Sequence, residues 1–292
     1  GALRFISGTW APHVALERRL SDFHGRPAAM LFSSAYATVM GALPPLINDK
    51  TAVISDALNH NCIINAIALA RPAEKHIYAH LDFGQLERQL EAAAKSCTRA
   101  IVVTDGVFSM RGDHAPLDKL MDLAARHDAN FSENVVVVVD DSHGVGGFGT
   151  TGRGTEEVCG GRPVDVLIGT LGKAFGVNGG YVTAAAPVID YLRETAATYI
   201  YSNPITPAEA VVLAALFVGC VYAFISRRIY EERCDETYHK QLASEVSELR
   251  ALAMQDSPTR LPNRRALLAA LDTPSRHSAR ANRRHALPLS VS

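Results

Sequence analysis

Short runs of β-branched and other apolar residues alternate along the chain with longer stretches whose apolar positions recur every three or four residues. The runs at 51–55, 76–79, 100–104, 135–139, 166–169 and 181–184 read as strands. Between them, 62–70, 83–94, 116–127 and 187–197 read as helices. Leu86 and Leu90 keep helical spacing, as do Leu117, Leu120, Met121 and Leu123. The run 135–139 is valine at every position, as expected for a central strand covered on both faces. Strand–helix alternation of this kind predicts an α/β fold with a mostly parallel, doubly wound sheet. Ligands of such sheets bind outside the carboxyl ends of the strands. Asp140, His143 and Lys173 fall there, and so does Asp105-Gly106-Val107-Phe108-Ser109.

Near Ala210 the pattern changes. Residues 210–225 are uncharged and are followed by Arg227-Arg228. At about 1.5 Å per residue this run falls short of a ~30 Å hydrocarbon core, so a buried core helix and a membrane span both stay open. Residues 226–255 are charged and helix-prone, with Leu242, Val246, Leu249 and Leu252 at three-to-four spacing. They read as an amphipathic or coiled-coil linker. From Thr273 the chain is rich in Arg, Ser, His and Pro, a composition that favours poor order.

With 48% hydrophobic and 20% charged positions, the 292 residues can bury a core of one large or two medium domains. The net charge of −1 argues against a nucleic-acid partner. Of the 29 Lys+Arg and 30 Asp+Glu, 12 and 8 lie after Val211, so a mildly acidic body carries a basic tail. Cys62, Cys97, Cys159, Cys220 and Cys234 are odd in number and lack C-x-x-C spacing. That suits free thiols in a reducing, cytoplasmic compartment better than disulfides or a metal site. The opening Gly1-Ala2-Leu3-Arg4-Phe5 has no signal-peptide pattern and no initiator methionine, which suggests a fragment.

The chemistry concentrates in two strings, Asp140-Asp141-Ser142-His143 and, one strand later, Thr170-Leu171-Gly172-Lys173-Ala174. Either alone reads as an acidic turn or a surface lysine. Together they set a carboxylate, an imidazole and a lysine amine at the ends of consecutive strands. Pyridoxal 5'-phosphate (PLP) chemistry uses those three groups. The amine forms a Schiff base with the cofactor aldehyde, and the carboxylate keeps the ring nitrogen protonated so that the ring acts as an electron sink. The imidazole can hold the ring or its phenolic oxygen.

Four further strings join these: Arg4-Phe5-Ile6-Ser7-Gly8-Thr9, Ser55-Asp56-Ala57-Leu58-Asn59-His60, Thr104-Asp105-Gly106-Val107-Phe108-Ser109-Met110 and Tyr201-Ser202-Asn203. With all six in order, residues 1–210 resemble the α-oxoamine synthase family of fold-type I PLP enzymes. The resemblance implies an aminotransferase-like large domain over 1–209, followed by a helical segment. It implies that Lys173 carries the cofactor and acts as acid/base at the substrate Cα, and that Asp140 pairs with the pyridinium nitrogen. His143 and Ser109 would reach the phenolic oxygen, and His60 would stack on the ring. Read without the family, a lone histidine near a helix start is a cap or a surface residue. Backbone N–H groups of Ala35 and Tyr36 at a helix N-terminus would hold the phosphate, with the Thr170 hydroxyl beside them. Tyr201 and Ser202 would reach the cofactor phosphate of a second subunit, so a homodimer is implied. The implied reaction is a Claisen-type condensation of glycine or a related amino acid with an acyl-CoA, releasing CoA. The Ser-Asp-Ala-Leu-Asn-His and Thr-Leu-Gly-Lys-Ala strings favour the glycine C-acetyltransferase type over the 8-amino-7-oxononanoate and serine palmitoyl types.

Three departures from the family stand out. Asn130-Phe131-Ser132-Glu133-Asn134 reads as an insertion that lengthens a loop at the end of the sheet away from the site. After Ala210 the family's C-terminal small domain, with the arginine that grips the substrate carboxylate, has no counterpart. Instead Asp256-Ser257-Pro258-Thr259-Arg260-Leu261-Pro262-Asn263-Arg264-Arg265 resembles the entry of a GGDEF-type diguanylate cyclase domain. This divides the chain into a large domain (1–209), an apolar helix and linker (210–255) and a truncated GGDEF-like fragment (256–292). That fragment lacks the carboxylates two-metal chemistry needs. A span at 210–225 would place the side bearing Arg227-Arg228 in the cytoplasm and the PLP part outside. The expectation is therefore a fused chain joined near Ala210, with membrane contact through 210–225 or a packed helix there. An inactive chain with a membrane-anchored signalling fragment is the alternative.

Overall fold

The computed structural model describes residues 3–213 and, beyond them, Ser244 alone. Seven strands form one sheet: β1 (Ala28–Phe32), β2 (Thr51–Asp56), β3 (Glu74–Tyr78), β4 (Arg99–Asp105), β5 (Val135–Asp140), β6 (Val166–Thr170) and β7 (Gly180–Ala184). Their order is β1-β7-β6-β5-β4-β2-β3. Neighbours from β3 to β6 pair in parallel, while β7 runs antiparallel to both β6 and β1. Around the sheet lie α1 (Arg4–Ser7), α2 (Ala11–His24), α3 (Ala35–Ala42), α4 (Asn61–Ala70), α5 (Phe83–Ala93), α6 (Leu117–His127), α7 (Thr155–Val158), α8 (Ala186–Thr195) and α9 (Ala197–Ile200).

Alternation along the strands builds the layers. Val53, Ile101, Val103, Val138 and Ile168 face α3, α4 and α8 through Val39, Ile63, Ile67 and Leu192. The intervening Ile54, Ala100, Val102, Val137 and Val139 face α5 and α6 through Leu86, Leu90, Leu120 and Leu123. Each such side chain contributes about 1.5–3 kcal/mol when fully buried. All six expected strands are present, displaced by at most two residues at their ends. β1 and α2 are among the elements that escape the pattern, each for its own reason. β1 is Ala-Ala-Met-Leu-Phe, apolar but without a β-branched residue. In α2 the buried face mixes Leu16, Leu20 and Phe23 with the polar His13, Glu17, Ser21 and His24, which breaks its apolar period.

Residues 130–134 lie where expected, at the N-terminal end of β5. The segment anchors itself by burying Phe131. Asp128 Oδ1 accepts the Val135 N–H at 2.8 Å and Asp128 Oδ2 accepts the Asn134 amide at 3.0 Å. At the other end of the described chain a helix starts at Pro207. Thr206 and Glu209 cap it reciprocally, each side chain accepting the other's backbone N–H. Ala210 and Leu213 are buried in one cluster with Leu16, Leu20 and Leu171. The apolar run from Ala210 therefore begins as a packed helix. Among the described residues no helix is long and apolar enough to cross a membrane. The chain divides into two compact units, 1–231 and 232–292, and the elements above belong to the first. The linker and the GGDEF-like string lie outside the described residues.

Candidate active site

Parallel strands end together, so the chemistry of several loops is delivered to one edge of the sheet. β4 and β5 place Asp105 directly beside Asp140. β6 ends at Thr170 and turns into Lys173. β2 leads to His60, the N-cap of α4, and β1 leads to Ser34, the N-cap of α3. The result is an open cleft lined by Ala35, Tyr36, His60, Cys62, Asp105, Ser109, Asp140, Ser142, His143 and Lys173. Seven of the residues expected from the sequence meet here. Thr170, Tyr201 and Ser202 do not line the cleft, whereas Cys62, Asp105 and Ser142, to which the sequence assigned no role, do. Asp105 and Ser142 sit inside strings already singled out, and Cys62 lies two residues beyond His60.

The floor is buried and acidic. Asp140 Oδ1 accepts the Ser142 N–H at 3.1 Å, and Oδ2 accepts the Cys62 thiol at 3.7 Å. Burial, then the charges of Asp140 and Asp105, push that thiol up to about 12, so it remains a donor. Burial and the neighbouring Asp140 push the Asp105 carboxyl up to about 8. Ser142 Oγ and Asp105 Oδ1 are buried without a partner among the described residues.

The rim is exposed and basic, carrying His60, His143 and Lys173. Partial burial pulls the Lys173 amine below its ordinary value, against the opposing pull of Asp140 and Asp105. Burial and then Lys173 lower the His143 imidazole. Thr170 serves the lysine turn itself: its hydroxyl accepts the Gly172 N–H at 3.1 Å and donates to the Gly179 carbonyl at 3.4 Å.

Two supports hold these loops. Asp141 is fully buried; its carboxylate accepts the Thr155 hydroxyl at 2.6 Å and the Thr155 N–H at 2.7 Å. Gly106, Gly144 and Gly154 wall it in, since a Cβ at any of them would collide with the carboxylate. This fixes the turn that carries Ser142 and His143. On the Ser109 loop, His80 bridges Asp56 at 3.0 Å and Asp113 at 3.2 Å and meets Phe108 edge-on at 4.4 Å.

At the far end of the cleft, Ser34 Oγ accepts the Ala37 N–H at 3.0 Å. The helix then opens toward the cleft at Ala35 and Tyr36, with the partial positive charge of its N-terminus. Gly180 of β7 lies against the Ala35 nitrogen and the Ser34 carbonyl carbon, leaving no room for a Cβ. Gly180→Ala therefore overpacks this contact at a cost of about 1–3 kcal/mol and displaces the helix start. Thermal unfolding and PLP titration should both shift downward; unchanged values in both would show that the backbone yields freely.

A buried carboxylate floor, orphaned polar atoms, a rim amine and a helix N-terminus together fit a ligand with a cationic ring nitrogen, an aldehyde and a phosphate. PLP has that pattern. Lys173, Asp140, His143, Ser109, His60 and the Ala35–Tyr36 backbone are the groups that would hold it.

The family model for aminotransferase class I and II matches residues 2–225. The 8-amino-7-oxononanoate synthase of Thermosipho melanesiensis is 40% identical over 211 residues, which cover 72% of this chain and 52% of that protein. The 2-amino-3-ketobutyrate coenzyme A ligase of Salmonella typhimurium is 43% identical over 211 residues, covering 71% and 51%. A serine palmitoyltransferase from S. paucimobilis, solved with bound PLP–myriocin, superposes with a TM-score of 0.70 at 28% identity, covering 80% of this chain and 56% of that one. The chain thus spans about half the length of the curated relatives it matches. With that match over most of its length, and with the fold and cleft described, the chain belongs to the aminotransferase class I and II family.

Proposed function

We propose that this chain is the cofactor-binding part of a PLP-dependent acyltransferase of the α-oxoamine synthase type, joining glycine or a related amino acid to an acyl-CoA with release of CoA. One observation carries the reading: Lys173, Asp140, His143, His60, Ser109 and the α3 N-terminus share a single cleft. Bound PLP supplies an electron sink for negative charge at the substrate Cα. The residues do the rest. Lys173 anchors the cofactor aldehyde and moves the proton at Cα, and its lowered basicity favours the neutral amine this requires. Asp140 keeps a proton on the ring nitrogen. His143 and Ser109 orient the phenolic oxygen, and His60 covers one ring face. Ala35 and Tyr36 N–H groups hold the phosphate. Tyr201 is 78% exposed and outside the cleft, which supports its reach, with Ser202, toward a second subunit in a homodimer.

The acyl donor is the finer part of the proposal. Relatives named for the 8-amino-7-oxononanoate and 2-amino-3-ketobutyrate reactions match at 40% and 43%, so identity does not choose between them. The Ser55–His60 and Thr170–Ala174 strings favour glycine with acetyl-CoA. An acyl-CoA chain-length panel, read by CoA release, separates acetyl from longer donors.

The test of the site itself is an absorbance spectrum of the full chain with PLP, before and after borohydride, beside Lys173→Ala. A visible band that borohydride bleaches and that the variant lacks is expected. No band in a folded preparation would overturn the reading.

A further inference from the structure

Beneath His60, the end of β4 and the start of α4 are tied together twice. The Asp105 N–H donates to Asn59 Oδ1 at 2.8 Å, and Asp105 Oδ2 accepts the His60 N–H at 3.1 Å. Asn59 is fixed in turn, its amide donating to Ser55 Oγ at 2.9 Å and to the Val103 carbonyl at 2.8 Å. Both clasp residues are buried. The His60 ring is held from its other side, where Nδ1 accepts the Cys62 N–H at 3.2 Å.

The clasp stands beside a second carboxylate. Register sets Asp105 against Asp140 on the adjacent strand, both at the buried floor of the cleft. Two carboxylates so placed do not both ionise without a large cost. Asp140 has two donors on its oxygens and a cationic ring nitrogen to meet when the site is filled. Asp105 has one backbone donor, and its other oxygen is an orphan. Of the two, Asp105 is the one placed to hold a proton.

We propose that Asp105 is a positioning residue of the cofactor site: a neutral carboxylic acid that clasps the His60 backbone, sets the His60 ring against the cofactor, and leaves the single negative charge of the floor to Asp140. The inference rests on the proposed function, because it needs an aromatic cofactor ring for His60 to cover. Asparagine is the natural mimic. Its amide offers His60 an acceptor and places a donor where the acid O–H stood, without charge.

The full chain, Asp105→Asn, Asp105→Ala, His60→Ala and the double alanine variant are titrated with PLP. Affinity, the visible circular dichroism of the bound cofactor and thermal melts are recorded. Visible dichroism reports asymmetric contact with the ring, which a merely structural role for Asp105 would not move. Asp105→Asn is expected to keep affinity within about threefold and to keep the dichroic band. Asp105→Ala is expected to weaken binding about tenfold or more and to reduce the band as His60→Ala does, with the double variant no worse than the singles. Full additivity, an unchanged band in Asp105→Ala, or an Asp105→Asn as defective as alanine would overturn the proposal. Should Asp105→Ala not fold, the Asp105→Asn comparison decides alone. Absence of binding by the unaltered, folded chain overturns the proposed function and this inference with it.

Discussion

Replacing Asp140 with alanine is expected to weaken PLP binding by about 2–4 kcal/mol, a loss of roughly 30- to 1000-fold in affinity. The size follows from burial. Asp140 is 7% exposed at the bottom of the cleft, where a pyridinium nitrogen would meet it away from water. Removing one member of such a pair leaves the other charge unmatched, and the ring then gives up its proton. The side chain also receives the Ser142 N–H and the Cys62 thiol, so alanine disturbs shape as well as charge. Asp140→Asn separates the two. Its amide oxygen accepts either donor, yet it carries no charge, so it should lose nearly as much affinity as alanine while melting like the unaltered chain. Dissociation constants for both variants, taken from absorbance titrations, check this. Values within threefold of the unaltered chain would remove Asp140 from the role.

The same cleft shows which parts of a site a sequence can announce. Lys173 and His143 are chemically conspicuous residues at the ends of apolar runs, so they were legible once strands and helices were assigned, whereas His60 drew its role only from the family resemblance. The floor was not legible. Cys62 looks like one more small residue on the inner face of α4, and only the approach of β5 makes its thiol a donor to Asp140. Asp105 looks like any acid at a strand end; its meaning comes from the β4–β5 register, a long-range pairing with no local signal. Thr170 was legible as a hydroxyl near the site, but the tight return to Gly179 turns it toward its own loop. In the fold, β-branched strands declared themselves, whereas β1 depends on β7 to be a strand at all. The apolar run after Ala210 carried a real ambiguity between core and membrane. Tertiary contact resolves it for Ala210 and Leu213, which the periodicity alone could not.

The α2 helix hid from the hydrophobic pattern because its inner face is polar, and the largest stability effect is expected there. Glu17 is 6% exposed and accepts four hydrogen bonds. Arg4 grips it with both terminal guanidinium nitrogens, at 2.7 and 3.2 Å. Arg193 reaches it at 2.9 Å, and the Leu31 N–H of β1 at 2.9 Å. Arg4, itself 3% exposed, also lies 5.2 Å over the Tyr199 ring. Glu17→Ala strands the buried Arg4 guanidinium without its counter-charge and should cost about 3–5 kcal/mol. Arg193→Ala should cost less, because that side chain is 29% exposed. The pH dependence has a definite sign. Burial alone would raise the Glu17 carboxyl, but Arg4 and Arg193 together hold it below its ordinary value of 4.5. A carboxylate lowered in the folded state stabilises fully above its unfolded value and loses that contribution as pH falls through the folded one. Denaturant midpoints of the unaltered chain and Glu17→Ala should thus lie far apart at neutral pH and converge below 4.5; a constant gap would show that charge is not what Glu17 contributes. The effect should also reach the cleft. Glu17 and Arg193 bind the β1 backbone at Leu31 and Ala29, and β1 runs on into Ser34 and the helix start that faces the phosphate. Loosening that strand lowers PLP affinity from a site that never touches the cofactor.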